Sequence, residues 1–243
     1  MRSKVDLQPA YVLHTQAFQN TSLLVDLFCV DYGRVRAVAK GARRAGSRTR
    51  AFLQPFQPVL VSLSGKTDLK SLISIEGSVN ALRLQGTRLF SGLYINELLV
   101  RLVTFQESIP ELYRSYQEAV VALSGERDLQ SILRKFELSL LDALGYGVNL
   151  GCDCYSGKPI EEEGHYLFHP DVGFEKLLTL APGRRSNAAV FSGAEIKALR
   201  EEATEDNIHS QAARRLTRIA LQVHLGEKPL ASRELFSRPS TSN

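Results

Sequence analysis

The stretch SLLVDLFCVDYGRVRAVAK, residues 22–40, reads as strand, turn and strand. Its first part, SLLVDLFCV (22–30), is mostly apolar, partly β-branched and too short for a typical helix. Asp31-Tyr32-Gly33 carries turn chemistry, and RVRAVAK (34–40) then alternates. In that strand Val35, Ala37 and Ala39 share one face, while Arg34, Arg36, Val38 and Lys40 share the other. The expectation is one core face and one largely basic face.

Working outward, PAYVLH (9–14), PVLVSLS (58–64) and LKSLISIEG (69–77) add three further strands, the last two joined by a turn at Gly65-Lys66. Five strands within the first 79 residues, with one long basic connection, predict a small barrel, and an OB-fold is the leading candidate. From about Thr87 the apolar period becomes helical. TRLFSGLYINELLVRLVTF (87–105) is apolar on most sides and predicts a buried helix. PELYRSYQEAVVAL (110–123) starts with a proline suited to a first helical turn. DLQSILRKFELSLLDALGYG (128–147) is amphipathic and ends at Gly145 and Gly147. SGAEIKALREEA (192–203), with Ser192 as cap, and NIHSQAARRLTRIALQVHLG (207–226) complete the helices. The predicted architecture is α+β: a five-stranded OB-fold barrel at 1–79 and a helical bundle domain at 80–236. An irregular, zinc-finger-like insertion is expected at 148–187 and a disordered tail at 237–243.

Charge is distributed unevenly along the 243 residues. The formal net charge is +4, yet residues 1–80 carry 11 basic and 5 acidic side chains, leaving a slightly acidic remainder. The excess is concentrated in Arg34, Arg36, Lys40, Arg43, Arg44, Arg48 and Arg50, with no acid between Tyr32 and Thr67. Charge runs are commonly solvated loops, but this one continues from a strand face into the adjoining connection and so forms a surface. Tyr11, Phe18, Tyr32, Phe52 and Phe56 occur nearby. A positive groove interleaved with aromatic platforms is how OB-folds hold single-stranded nucleic acid, so these seven cations are the expected nucleic-acid contacts.

Arg134 and Lys135, with Arg127 shortly before them, set cations into the apolar helix 128–144. They are either its solvent face or the cationic rim of a groove for an acidic peptide with hydrophobic anchors. Arg214, Arg215 and Arg218 form a third basic feature of either kind.

Catalytic signatures are lacking. SGKT (64–67) has leucine where a phosphate-binding loop needs its first glycine, and a strand rather than a helix follows. There is no His-Glu-x-x-His, Gly-x-Ser-x-Gly or dinucleotide fingerprint, and Glu161–Glu163 reads as a solvated turn. The one-residue gap between Cys152 and Cys154 is poor for zinc, even with His165 and His169 beyond. No enzyme, no metal and no cofactor are expected. Three cysteines, an N-terminus without an apolar signal region and no stretch long enough to span a membrane point to a cytoplasmic protein.

Four stretches together resemble the RecO family of bacterial DNA-repair proteins: YGRVRAVAKGARR (32–44), GLYINELLVRL (92–102), LRKFELSLLDALGYG (133–147) and KPLASRELF (228–236). They stand in the family's order across nearly the whole chain. The resemblance implies an N-terminal OB-fold, a helical C-terminal domain and a recombination mediator of the RecF pathway. Such a protein binds single- and double-stranded DNA and anneals complementary strands coated with the single-stranded-DNA-binding protein. It also recognises the C-terminal tail of that coating protein, and with RecR it helps load RecA. It implies DNA contacts within the run Arg34–Arg50 and assigns Arg134 and Lys135 to the acidic tail, with Arg127 beside them. Some members carry four cysteines in paired knuckles; here only Cys152 and Cys154 stand in that region, so a metal-free member is expected. A bacterial cytoplasmic protein, joining the nucleoid during repair, would follow. The rival expectations are a generic OB-fold RNA-binding factor and a metal-dependent nuclease using Glu161–Glu163 or Asp171.

Overall fold

The computed structural model describes residues 4–77, 82–179, 188–205 and 208–237. Two compact units emerge: Met1–Gly125 together with Pro229–Asn243, and Glu126–Lys228.

In the first unit, β1 (Lys4–Phe18), β2 (Ser22–Cys29), β3 (Gly33–Ala39), β4 (Pro58–Ser64) and β5 (Leu69–Gly77) close a barrel in the order β1-β2-β3-β5-β4. All neighbours are antiparallel except β3 and β5, which run parallel. This is the architecture expected of residues 1–79. Alternation inside the strands fills the barrel with Val25, Leu27, Val35, Ala37, Val59 and Val61.

β1 is 15 residues long rather than the short 9–14 segment its apolar pattern suggests. Its N-terminal part pairs with β4 and its C-terminal part with β2, so it turns the corner of the barrel. The turn is made through irregular register, with Leu7 at φ 48°, and that breaks the alternation a period-two reading relies on.

The outer face of β1, β2 and β3 forms a second core. Helix α3 (Pro110–Ser124), packed beside α2 (Gly86–Leu102), brings Tyr113 and Tyr116 against Tyr11 and Phe28, with ring centroids 5.1–5.9 Å apart. The Asn96 side chain donates to the Leu13 carbonyl at 2.9 Å and accepts from the Tyr116 hydroxyl at 2.8 Å, satisfying buried polar groups on both sides. Beyond α2, the chain lies along the start of β3. The Arg34 carbonyl accepts from the Gln106 amide at 2.8 Å, and the Ser108 hydroxyl donates to the Val30 carbonyl at 3.0 Å. Gly33 permits this approach: at φ 58° it occupies a region favouring glycine, and a Cβ there would meet the Glu107 carbonyl oxygen at 1.8 Å.

The short helix α1 (Arg48–Phe52) lies in the β3–β4 connection, and α7 (Ala231–Ser237) returns to the first unit at the C-terminal end. Glu97 on α2 accepts from the Ala231 and Ser232 amides at 2.9 and 2.8 Å and from the Ser232 hydroxyl at 2.6 Å. Its carboxylate thereby satisfies orphan donors at the start of α7.

The second unit contains α4 (Leu129–Ala143), α5 (Gly193–Thr204) and α6 (Gln211–Leu225) with a three-stranded sheet. Asp128 caps α4 through the Ser131 amide, and Ser192 with Glu195 forms a full capping box on α5, in the place the sequence indicates. The region 148–187, expected to be irregular and zinc-finger-like, is corrected by two strands, β6 (His165–His169) and β7 (Gly173–Lys176). With β8 (Val190–Ser192) they form a sheet in the order β7-β6-β8. These strands are three to five residues long, too short for alternation to separate them from loop. Phe168, Phe174 and Phe191 pack together as its core, with ring centroids 5.0–6.3 Å apart. The rest of that expected insertion, residues 180–187, lies outside the described residues, as do residues 238–243 of the expected tail.

Among the described residues, no helix is long and apolar enough to cross a membrane.

Candidate nucleic-acid interface

The β3 strand delivers the basic run to two different environments. Arg34, expected on an exposed basic face, is only 7% exposed because the segment after α2 covers that face. Its guanidinium binds the Asp26 carboxylate at 3.2 Å, donates to the Val103 carbonyl at 3.3 Å and lies 4.0 Å from the Phe105 ring centre. Arg36 binds the same carboxylate through two donors at 3.0 Å and keeps part of its side chain in solvent. Burial pulls the Arg34 guanidinium below its ordinary value, and the Asp26 charge opposes that pull. Arg34 and Arg36 are therefore engaged in one ion-pair cluster that ties the chain after α2 to the barrel, and Arg34 is not a solvent-facing cation.

Sequence reasoning missed Asp26 and Phe105 as partners. A signal for Asp26 was present, since a tight turn at 31–33 sets it opposite Arg36, which is the observed register. Phe105 had none, because its place depends on how the chain leaves α2.

Past the end of β3 the situation reverses. Lys40, Arg43, Arg44, Arg48 and Arg50 are all exposed. They occupy the β3–β4 connection and α1, next to the β1–β2 turn. The Arg43 amide donates to the Thr21 carbonyl at 2.9 Å, and its guanidinium reaches the Gln19 carbonyl at 3.3 Å. None of these five cations has an ionic partner among the described residues. The structure thus brings together five of the seven expected contacts as a solvent-facing cationic surface held against the barrel.

The aromatics separate in the same way. Tyr11 and Phe56 are buried in packing, Phe18 and Phe52 are half-buried, and Tyr32 is exposed but precedes β3 at its far end. Phe52 closes the barrel by lying on Gly77, where an added Cβ would come within 2.1 Å of the ring.

Within the second unit, Arg134 is buried and binds Glu137 at 2.6 Å, one helical turn along α4. The apolar side of α4, expected to line a peptide groove, is buried at Ile132, Leu133, Phe136, Leu140 and Leu141. Arg127 is exposed and Lys135 half-buried. Arg214 and Arg218 are exposed on α6, whereas Arg215 packs over Phe191 and binds Glu195 at 3.1 Å.

The cysteine region is organised by a carboxylate. Asp153 accepts from the amides of Tyr155, Ser156 and Lys176 at 3.1, 2.5 and 2.6 Å. Burial acts to raise its pKa, but these donors outweigh it and hold the carboxyl down at about 2. Asn149 donates to the Cys152 sulfur at 3.3 Å. Among the described residues, no group of three or more histidine, cysteine, aspartate or glutamate side chains is placed to hold a metal ion. Cys29 lies wholly inside the barrel, where burial pushes its thiol up to about 12.

Comparison with known proteins agrees with this architecture. The family model for the N-terminal domain of recombination protein O matches residues 1–79, and that for its C-terminal domain matches residues 83–234. The DNA repair protein RecO of Tolumonas auensis is 42% identical over 233 residues, covering 96% of this chain and 95% of that protein. The RecO of Pseudomonas putida is 44% identical, covering 95% of this chain and 97% of its own. That of Shigella boydii is 41% identical, covering 94% and 93%. With both domain models matched in order and such identity along nearly its full length, the chain belongs to the RecO family of DNA repair proteins.

Proposed function

We propose that this protein is a recombination mediator that binds single- and double-stranded DNA through Lys40, Arg43, Arg44, Arg48 and Arg50. It anneals complementary strands coated with the single-stranded-DNA-binding protein and acts with RecR to help load RecA. The observation that carries the DNA reading is the set of five exposed cations on one connection of the barrel, without ionic partners among the described residues. Family membership supports the assignment to strand annealing and to these protein partners.

The proposed mechanism needs no covalent step, and the protein is proposed to act by binding, without enzymatic activity. Complementary strands repel each other, and a cationic surface that neutralises phosphates releases counterions and lets two strands approach. For the acidic tail of the coating protein, the proposed contacts are Arg127 and Lys135, with Arg134 holding the local shape of α4 through Glu137.

The test is annealing of two complementary oligonucleotides, each precoated with bacterial single-stranded-DNA-binding protein. The wild type is expected to accelerate pairing, and an Arg127→Glu/Lys135→Glu variant to lose the acceleration on coated strands while keeping it on bare ones. No acceleration of either substrate, with nucleic-acid binding intact, would replace this reading with a binding factor lacking mediator activity.

A further inference from the structure

Barrels of this architecture usually hold single strands on the outer face of β2 and β3, where aromatic rings stack on the bases. That face is closed here. Phe28, Arg34 and Val38 are buried on it, and Tyr113 and Tyr116 lie against Phe28. The exposed cations sit elsewhere, at the end where β3 passes into the β3–β4 connection. Among the described residues of the first unit, the well-exposed rings are Tyr32 at 42% and Phe105 at 37%, and both lie at the opposite end of β3. A seven-residue strand separates the two ends by roughly 20 Å.

We infer that this protein grips DNA by its phosphates alone, leaving the bases turned away from the barrel and free to pair. The ligand recognised is the sugar-phosphate backbone, irrespective of sequence and with or without bases. This rests on the proposed DNA-binding role of the Lys40–Arg50 surface and specifies how it works. A strand held by stacked bases must leave its platform before it can pair, whereas a strand held by phosphates can pair in place. The rings beside these cations, Phe18 and Phe52, are half-buried, with Phe52 packed on Gly77 and the barrel core, so the surface meets solvent mainly through its cations, which suits the second mode. The same surface accepts a duplex, since duplex formation leaves the phosphates outermost.

The experiment compares binding of the full chain to a deoxythymidine oligonucleotide and to an abasic oligonucleotide with the same number of phosphates, each across a salt series. Equal affinity within about twofold is expected, with parallel slopes of log K against log salt of about −3.5 if all five cations engage. A strand stacked on the protein loses roughly tenfold in affinity for each stacked base removed. An abasic strand bound tenfold or more weakly therefore overturns the phosphate-only grip while leaving the DNA-binding role standing. A variant with all five cations changed to alanine separates the two failures. Equal but weakened binding of both strands, with a flatter slope, supports the inference; unchanged affinity and slope remove the surface on which it rests.

Discussion

Asp26 shows how much one carboxylate changes the reading of a basic strand. It lies buried between two guanidiniums, Arg34 with 8% of its side chain exposed and Arg36 with 35%. Truncating a partner of a buried ion pair leaves an uncompensated charge, which typically costs about 3–5 kcal/mol. Asp26→Ala is therefore expected to lower the stability of the first unit by about 3 kcal/mol in urea denaturation, because Arg34 stays buried without its anion. A change of less than about 0.5 kcal/mol would show that the cluster has little structural weight. Arg34→Met should leave the salt dependence of DNA binding unaltered, since that side chain faces Asp26 and Phe105 rather than solvent. A flattened slope in that variant would place Arg34 among the phosphate contacts.

At the level of elements, the Asp153 turn organises the stretch that holds Cys152 and Cys154. Three amides converge on its carboxylate, one of them from β7, so it joins the cysteine turn to the sheet. Its pKa is depressed from an ordinary 3.8 to about 2, so the ionised form is favoured by folding. The contribution is complete above the unfolded value and disappears as pH falls from about 4 towards 2. Acid titration of the second unit should show this loss in the wild type, with Asp153→Asn less stable at neutral pH and flatter below pH 4. Parallel stability curves for the two proteins would contradict that role.

The strands and longer helices were legible because their apolar periods are regular, and Pro110 and Ser192 mark helix starts directly. Whether Arg34 or Arg134 met solvent was not legible, because that depends on which elements cover β3 and α4. Glu137, at i+3 from Arg134, gave a local warning that the cation already had a partner. The lengths of β1, β6, β7 and β8 were hidden for a different reason. Register irregularity in the first and brevity in the others remove the repeat that identifies a strand.

Across the whole molecule, the first unit is discontinuous in sequence: the chain leaves it at Gly125 and returns at Pro229. α7 thus stabilises a unit whose other elements were completed more than 100 residues earlier. Burial acts to raise the Glu97 pKa, and the Ser232 and Ala231 donors outweigh it, with Arg101 adding to the depression. Glu97→Ala should therefore loosen α7 and accelerate amide exchange in residues 231–237 and in the facing part of α2. Unchanged exchange in both would show that the helix is held by its apolar contacts alone. Because Glu97 lies on α2, away from the Lys40–Arg50 connection in sequence and in element, intrinsic DNA affinity should be preserved.

The central claim is that the cations beyond β3, and not those within it, meet DNA. The most direct measurement is the salt dependence of single-strand affinity for the wild type, for an Arg43→Ala/Arg44→Ala/Arg48→Ala variant and for Arg34→Met. Removing three phosphate contacts should reduce the slope of log K against log salt by about 2, while Arg34→Met retains the wild-type slope. A retained slope in the triple variant, with a reduced one in Arg34→Met, would contradict the account and return the interface to the strand face.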